Sequence, residues 1–255
     1  MTDEELKKAL LKLGLHHLAG HLSDVIATAT KKRLSPQALI EEIARREADE
    51  KTRRGVERRI RSARLGRFKP LCDFDWNWPK KINRPLIESL LDLAFVEASS
   101  NVILVGPPGI GKTMIAKNLA YEGAKAGYPA LATELSDMLT DLESQEGAQA
   151  LKRRLGRYVR PRVLVIDEVG YTSYSSRAAD LLFQVISKRH EKSATILTTN
   201  MAFKDWPQIF PNAGCVVAMI DRMTAMADII PIEGDSYRRR EKRSSKAPKN
   251  SEPKE

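Results

Sequence analysis

101-NVILVGPPGIGKTMIAKNLAYEGAKAG-127 joins a short apolar strand pattern to a glycine-rich turn and then to a helical pattern. Inside it, Gly106, Pro107, Pro108, Gly109, Ile110, Gly111, Lys112 and Thr113 match G-x-x-x-x-G-K-[ST], the loop that cradles phosphates. Each residue type has a reason. The glycines let backbone N–H groups turn toward a pyrophosphate, Lys112 reaches the terminal phosphates, and Thr113 offers its hydroxyl to Mg²⁺. The helix that follows points its N-terminus, with its unpaired donors, at the same anion. Strand and helix flank the loop where the chemistry needs them, so a bound nucleoside triphosphate with Mg²⁺ is expected. Its use has to be read from the rest of the chain.

Downstream, apolar strand patterns near 102–106, 129–133, 163–167, 194–199 and 228–232 alternate with helical ones. This alternation predicts an α/β fold, a parallel five-stranded sheet flanked by helices. In 163-VLVIDEVG-170, Asp167 emerges at the C-terminal end of a buried strand, where open sheets place their ligands. Asp167 is the candidate partner of Mg²⁺, and Glu168 the candidate to orient or deprotonate an attacking water. A kinase acting on a small molecule needs no such glutamate. The stretch 194-ATILTTN-200 ends on Asn200, which either senses the γ-phosphate or lytic water or closes the strand as a turn residue. Arg222, in VVAMIDRMTAM, is either a surface charge paired with Asp221 or an arginine offered to a neighbouring subunit's γ-phosphate. Arg238, in GDSYRRR, either senses nucleotide in its own subunit or belongs to the basic tail.

The 255 residues carry a net charge of +10, with 30% charged and 42% hydrophobic side chains, which fits a chain with a real core and a polyanionic partner. Residues 1–70 read as a helical, basic N-terminal region, 71–235 as the nucleotide-binding domain, and 236–255 as a basic tail too poor in apolar residues to order. Ser35 and Pro36 mark a helix start. From Arg45 to Lys69 arginines crowd together while acidic residues nearly vanish after Glu57. Arg58, Arg59, Arg61, Arg64 and Arg67 are therefore the candidate DNA-binding residues, a solvated helix face being the plainer alternative. Trp76 and Trp78, in a proline-punctuated connector, are expected to dock on the domain rather than stack on bases. His16, His17 and His21 lack acidic or cysteine companions, which argues against a metal. Cys72 and Cys215 have no ligand spacing and read as free thiols. With no apolar run near membrane-spanning length and no secretory segment, a cytoplasmic location is expected.

Taken together, ERRIRSARLGRFKPLCDFDW, GPPGIGKT, VLVIDEVGY, LLFQVISKRHE, ILTTN, FKDW, DRM and GDSYR make the chain resemble the IstB-type ATP-binding helpers of bacterial insertion sequences. These belong to the AAA+ ATPases, with DnaC-like helicase loaders as relatives. The resemblance runs to about Arg239, and the basic helix leading into the FDW-like connector is its most specific part. It implies ATP as the nucleotide, an AAA+ core behind a small all-α N-terminal domain, and an ATP-assembled homo-oligomer on double-stranded DNA. It further implies remodelling of target DNA and its delivery to a cognate transposase. The family usually has sequences closer to DRLLHHA and TSN where this chain has DRMTAMADII and TTN, but the arginine and asparagine are retained. A helicase loader is the alternative function, and the basic stripe ahead of the core weighs against it.

Overall fold

Thr2 opens the first helix, α1 (Asp3–Lys12), with a reciprocal capping box. Its hydroxyl accepts the Glu5 N–H at 3.3 Å, and the Glu5 carboxylate accepts the Thr2 N–H at 2.8 Å. After α2 (His16–Gly20) and α3 (Leu22–Lys32) comes α4 (Pro36–Ser62). The Ser35 hydroxyl accepts the Ala38 N–H at 3.2 Å, so α4 begins where the Ser-Pro pair predicts. Leu10, Leu18, Ala19, Leu22 and Val25 form a small core, against which Leu39 and Ile43 of α4 pack. None of the 27 residues of α4 is buried. Glutamate–arginine pairs line it instead: Glu42 with Arg45 and Arg46, Glu50 with Arg53 and Arg54, and Glu57 with Arg53. Hydrogen bonds from Arg53 and Arg54 hold the Glu50 carboxyl down at about 2.

The computed structural model describes residues 1–170, 173–211 and 213–237. They divide into two compact units, Met1–Arg58 and the chain from Arg59 onward. The sequence places the change of character at residue 70. The earlier division has a packing cause: Ala63, Leu65 and Phe74 are buried in the core of the second unit, with Ile60, Phe68 and Leu71 packed against it.

In the second unit, α5 (Arg84–Ser89) and α6 (Ala94–Glu97) precede β1 (Asn101–Val105) and α7 (Lys112–Ala126). Then follow β2 (Ala130–Glu134), α8 (Leu135–Glu143), α9 (Ala148–Val159), β3 (Val163–Val169), α10 (Ser176–Arg189), β4 (Ala194–Thr199), α11 (Ala213–Thr224) and β5 (Ala227–Pro231). Each strand lies within two residues of its predicted place. All pairings are parallel, in the order β2-β3-β4-β1-β5. Alternate side chains go to opposite faces. Val102, Leu104, Val163, Val165 and Ile196 face α7 and the connector, while Ile103, Leu164, Ile166 and Leu197 face the helices α8 to α11. Burial on both faces explains why these strands read as continuous apolar runs.

Two polar fixtures hold this unit together. The Asn118 side chain, on α7, accepts the Leu71 N–H at 3.0 Å and donates to the carbonyls of Lys69 and Met114, which pins the connector. At the end of α10, Arg189 is 1% exposed. Its guanidinium donates to the carbonyls of Tyr158, Val159, Pro161 and Ala194 and to the Thr195 hydroxyl. Burial pushes it down to about 9, which leaves it charged at neutral pH. It thereby satisfies the orphan carbonyls at the end of α9.

Candidate nucleotide site

β1 ends at Val105, and the loop turns back over the C-terminal edge of the sheet. Gly109 and Gly111 take φ values of 76° and 104°, the left-handed region that glycine enters freely. Gly111 is also crowded: a Cβ there would lie 2.4 Å from the Phe74 ring. At Gly106 a Cβ would meet the Ile232 carbonyl oxygen at 2.2 Å. The loop's glycines thus answer to packing as well as to phosphate approach. Gly111 caps α7 without a side chain, so the first-turn N–H groups stay open to an anion. Lys112 is buried, its Nζ donating to the carbonyls of Gly106 and Pro107 at 2.7 and 2.9 Å.

Two strands away, β3 delivers the acidic pair. Thr113 Oγ1 donates to Asp167 Oδ1 at 3.0 Å, and Thr198 Oγ1, on β4, donates to the same oxygen. The hydroxyl and carboxylate expected to share Mg²⁺ therefore already meet. The register of β3 against β4 slips between Ile166 and Val169, and Glu168 within the slip has φ 62°. Asn200 follows β4, and its Oδ1 is buried with no hydrogen-bond partner among the described residues. A Cβ at Gly170 would come within 2.5 Å of that oxygen.

Beside the loop opens a cavity of about 290 Å³. Lys112, Thr113, Glu168 and Thr198 line its polar side, and Phe68, Phe74, Trp78 and Pro79 of the connector its apolar side. Tyr237 also lines it, held by its N–H bond to the Gly109 carbonyl at 2.9 Å. Both tryptophans dock, as the connector predicts. Trp76 packs on the core, and Trp78 Nε1 donates to the Asp235 carbonyl at 2.8 Å. Sequence reasoning passed over Phe68, Phe74 and Tyr237 as site residues. The available signal was the run of aromatics in an otherwise polar connector just ahead of the loop strand.

Arg222 lies elsewhere. It sits near the end of α11, where Asn101 Nδ2 donates to the neighbouring Met223 carbonyl at 3.0 Å. Asn101 starts β1 and Gly106 follows its last residue, so the length of the strand, roughly 16 Å, separates the Arg222 region from its own phosphate loop. The guanidinium donates to the Ala218 carbonyl at 2.9 Å and lies over the Phe183 ring, 5.0 Å from its centroid.

A phosphate loop, an acidic pair and a strand-end asparagine thus share the C-terminal edge of the sheet. The profile of the IstB-like ATP binding proteins matches residues 8–245. The chain belongs to that family. A Pseudomonas aeruginosa protein named for insertion sequence IS21 and for ATP binding is 35% identical over 241 residues, covering 94% of this chain and 91% of its own length. A Geobacillus stearothermophilus relative, named for IS5376 and ATP binding, is 31% identical over 94% of this chain and 96% of its own. Among solved structures, DnaI superposes with a TM-score of 0.55 at 19% identity, over 69% of this chain and 93% of that one. Domain III of the Thermotoga maritima replication initiation protein DnaA gives 0.53 at 15%, over 67% and 70%. The fold is that of an AAA+ P-loop ATPase.

For this IstB-like chain, the five candidate DNA-binding arginines have different surroundings. Arg58 and Arg61 are exposed on α4. Arg59 donates through Nε to the Ala124 carbonyl at 3.0 Å, capping α7. Beyond the helix, Arg64 lines a polar cavity of about 400 Å³ with Lys117, Glu134 and Asp137, and Arg67 lines the nucleotide cavity. A second basic run, which sequence reasoning did not single out, lies on and just after α9, where Lys152, Arg153 and Arg160 are exposed. Arg154 and Arg157 of the same run turn to Asp141, at 3.5 and 3.4 Å. Arg238 lies outside the described residues, as does the tail after it. Among the described residues, no helix is long and apolar enough to cross a membrane.

Proposed function

We propose that this chain is a cytoplasmic, DNA-binding ATPase that assists transposition. In this reading ATP drives assembly of a homo-oligomer on double-stranded DNA, the bound DNA is remodelled, and it is passed to a cognate transposase. Family membership supports the setting, and the relatives' names tie them to insertion sequences and ATP binding. The observation that carries the mechanism is the separation of Arg222 from its own loop by the length of β1.

Phe68, Phe74 and Trp78 would hold the adenine ring on the apolar side of the cavity, and the N-terminus of α7 would receive the phosphates. Lys112 exchanges its carbonyl partners for phosphate oxygens. The hydroxyl of Thr113 and the carboxylate of Asp167 are hard oxygen donors 3.0 Å apart, which suits Mg²⁺, an ion usually held by one or two protein oxygens besides phosphate and water. Mg²⁺ held there would supply positive charge to the phosphates. Glu168 takes a proton from the attacking water or orients it, and Asn200 Oδ1 accepts its remaining hydrogen bond. Arg222 completes the site of the next subunit, and this sharing makes turnover depend on assembly.

A mixing experiment tests the reading. Lys112→Ala subunits have a dead loop and an intact Arg222; Arg222→Ala subunits have the reverse. Each alone should be nearly inactive, since an arginine supplied in trans contributes on the order of 10³–10⁵ in related GTPase chemistry. Mixed in equal amounts with DNA, they should recover part of the ATPase rate. No recovery in mixed oligomers whose formation is verified would mean that Arg222 works within its own subunit or only supports the fold.

A further inference from the structure

The acidic pair meets a third residue, Thr198, to which the site described above gives no role of its own. Thr198 is 1% exposed and lies on β4 beside the bulge in β3. Its Oγ1 accepts the Glu168 N–H at 3.0 Å and donates its own proton to Asp167 Oδ1. One hydroxyl thus joins the backbone of the candidate base to the side chain of the candidate Mg²⁺ ligand.

The backbone shows why such a joint is needed. Glu168 has φ 62°, a region that a residue with a long side chain occupies only when its surroundings impose it. In regular pairing its N–H would join the ladder with β4, but the register slip between Ile166 and Val169 removes that option. A buried N–H left unmatched is costly, and Thr198 Oγ1 supplies the acceptor. The same bond holds the bulge in the shape that turns Glu168 into the nucleotide cavity, whose wall Glu168 and Thr198 share. The hydroxyl's one proton is committed to Asp167 Oδ1, which accepts from Thr113 as well, so two donors fix that carboxylate oxygen.

We infer that Thr198 is a positioning residue for hydrolysis: it aims Glu168 at the attacking water and orients Asp167, acting through these two residues. The inference rests on the assignment of Glu168 and Asp167 made above. Valine at 198 keeps the shape and removes the hydroxyl, whereas serine keeps the hydroxyl and removes a methyl.

The test uses the full chain with Thr198→Val and Thr198→Ser. First, amide exchange at Glu168 is followed in the nucleotide-free protein. It should quicken at least tenfold in Thr198→Val and stay near wild type in Thr198→Ser, while exchange in β1 and α7 is unchanged. Second, binding of a fluorescent N-methylanthraniloyl-ATP with Mg²⁺ should change less than threefold in both variants. Third, kcat should fall at least tenfold in Thr198→Val with KM nearly unchanged, and Thr198→Ser should recover most of it. Wild-type exchange at Glu168 in Thr198→Val, or serine as slow as valine, overturns the inference. So does a kcat that survives the loss of the hydroxyl. Should Thr198→Val not fold, Thr198→Ser with unprotected Glu168 overturns it equally. A wild-type protein that binds but never hydrolyses ATP overturns the enzymatic reading instead, and the exchange comparison still decides whether Thr198 holds Glu168.

Discussion

Lys112, Glu168 and Gly106 illustrate three different ways in which one residue can decide this site. Lys112→Ala removes the cation that holds the phosphates and should abolish ATP-dependent assembly. Glu168→Gln keeps the carbonyl acceptor but cannot take a proton, so it should bind ATP normally and trap the assembled state. Its turnover should drop by about 10²-fold or more, the usual contribution of a positioned base. Assembly by light scattering and phosphate release measured side by side separate the two; wild-type turnover in Glu168→Gln removes it from the mechanism. Gly106→Ala acts by bulk alone, because its methyl would meet the Ile232 carbonyl at 2.2 Å and that atom is backbone. Overpacking of this kind costs about 1–3 kcal/mol. Thermal melting should therefore shift down and ATP affinity should fall with it, although no phosphate contact has been deleted.

Among the elements, α10 and α4 show how much the sequence disclosed and where it stopped. The apolar runs of β1, β3 and β4 stood out because they are too short for a buried helix and alternate with helical patterns. The phosphate loop and the Asp167–Glu168 pair were legible for another reason, as their spacing is set by chemistry rather than by packing. Arg189 was not legible: in LLFQVISKRHE it looks like any helix-ending cation, and only folding brings four carbonyls and a hydroxyl around it. Arg189→Met should cost about 3–5 kcal/mol, the range seen when one side of a buried charged network is removed. Chemical denaturation checks this, and a loss under 1 kcal/mol would mean water replaces the guanidinium. The ion pairing along α4 was not legible either. Arg45, Arg46, Arg53 and Arg54 are matched by glutamates one turn away. Periodicity shows that both signs lie on a helix but not which side chains find each other.

For the molecule as a whole, the net charge of +10 carries the prediction. Binding to duplex DNA should be nearly independent of sequence and should weaken steeply with salt, with a slope of about −0.9 in log K against log salt for each phosphate neutralised. Arg58→Glu combined with Arg61→Glu should flatten that slope by about 1.8 if both touch phosphate, and should leave ATP binding intact. An unaltered slope would move the DNA contact away from α4, with the exposed cations at Lys152, Arg153 and Arg160 next to be reversed. Salt titrations of fluorescence anisotropy on a labelled duplex distinguish these outcomes. The connector and the chain after β5 also cooperate across the sequence. Lys81 pairs with Glu233, Trp78 with the Asp235 carbonyl, and the Tyr237 N–H with Gly109. This closure has a consequence in time. The ribosome makes Gly109 long before Tyr237, and at 5–20 residues per second the interval between them is roughly 6–25 s. Throughout that interval the nascent phosphate loop lacks Ile232 beneath it and Tyr237 beside it, so the pocket matures only when the last part of the domain has been translated. A chain stalled before residue 232 would carry the whole phosphate motif and still be unable to form its finished pocket.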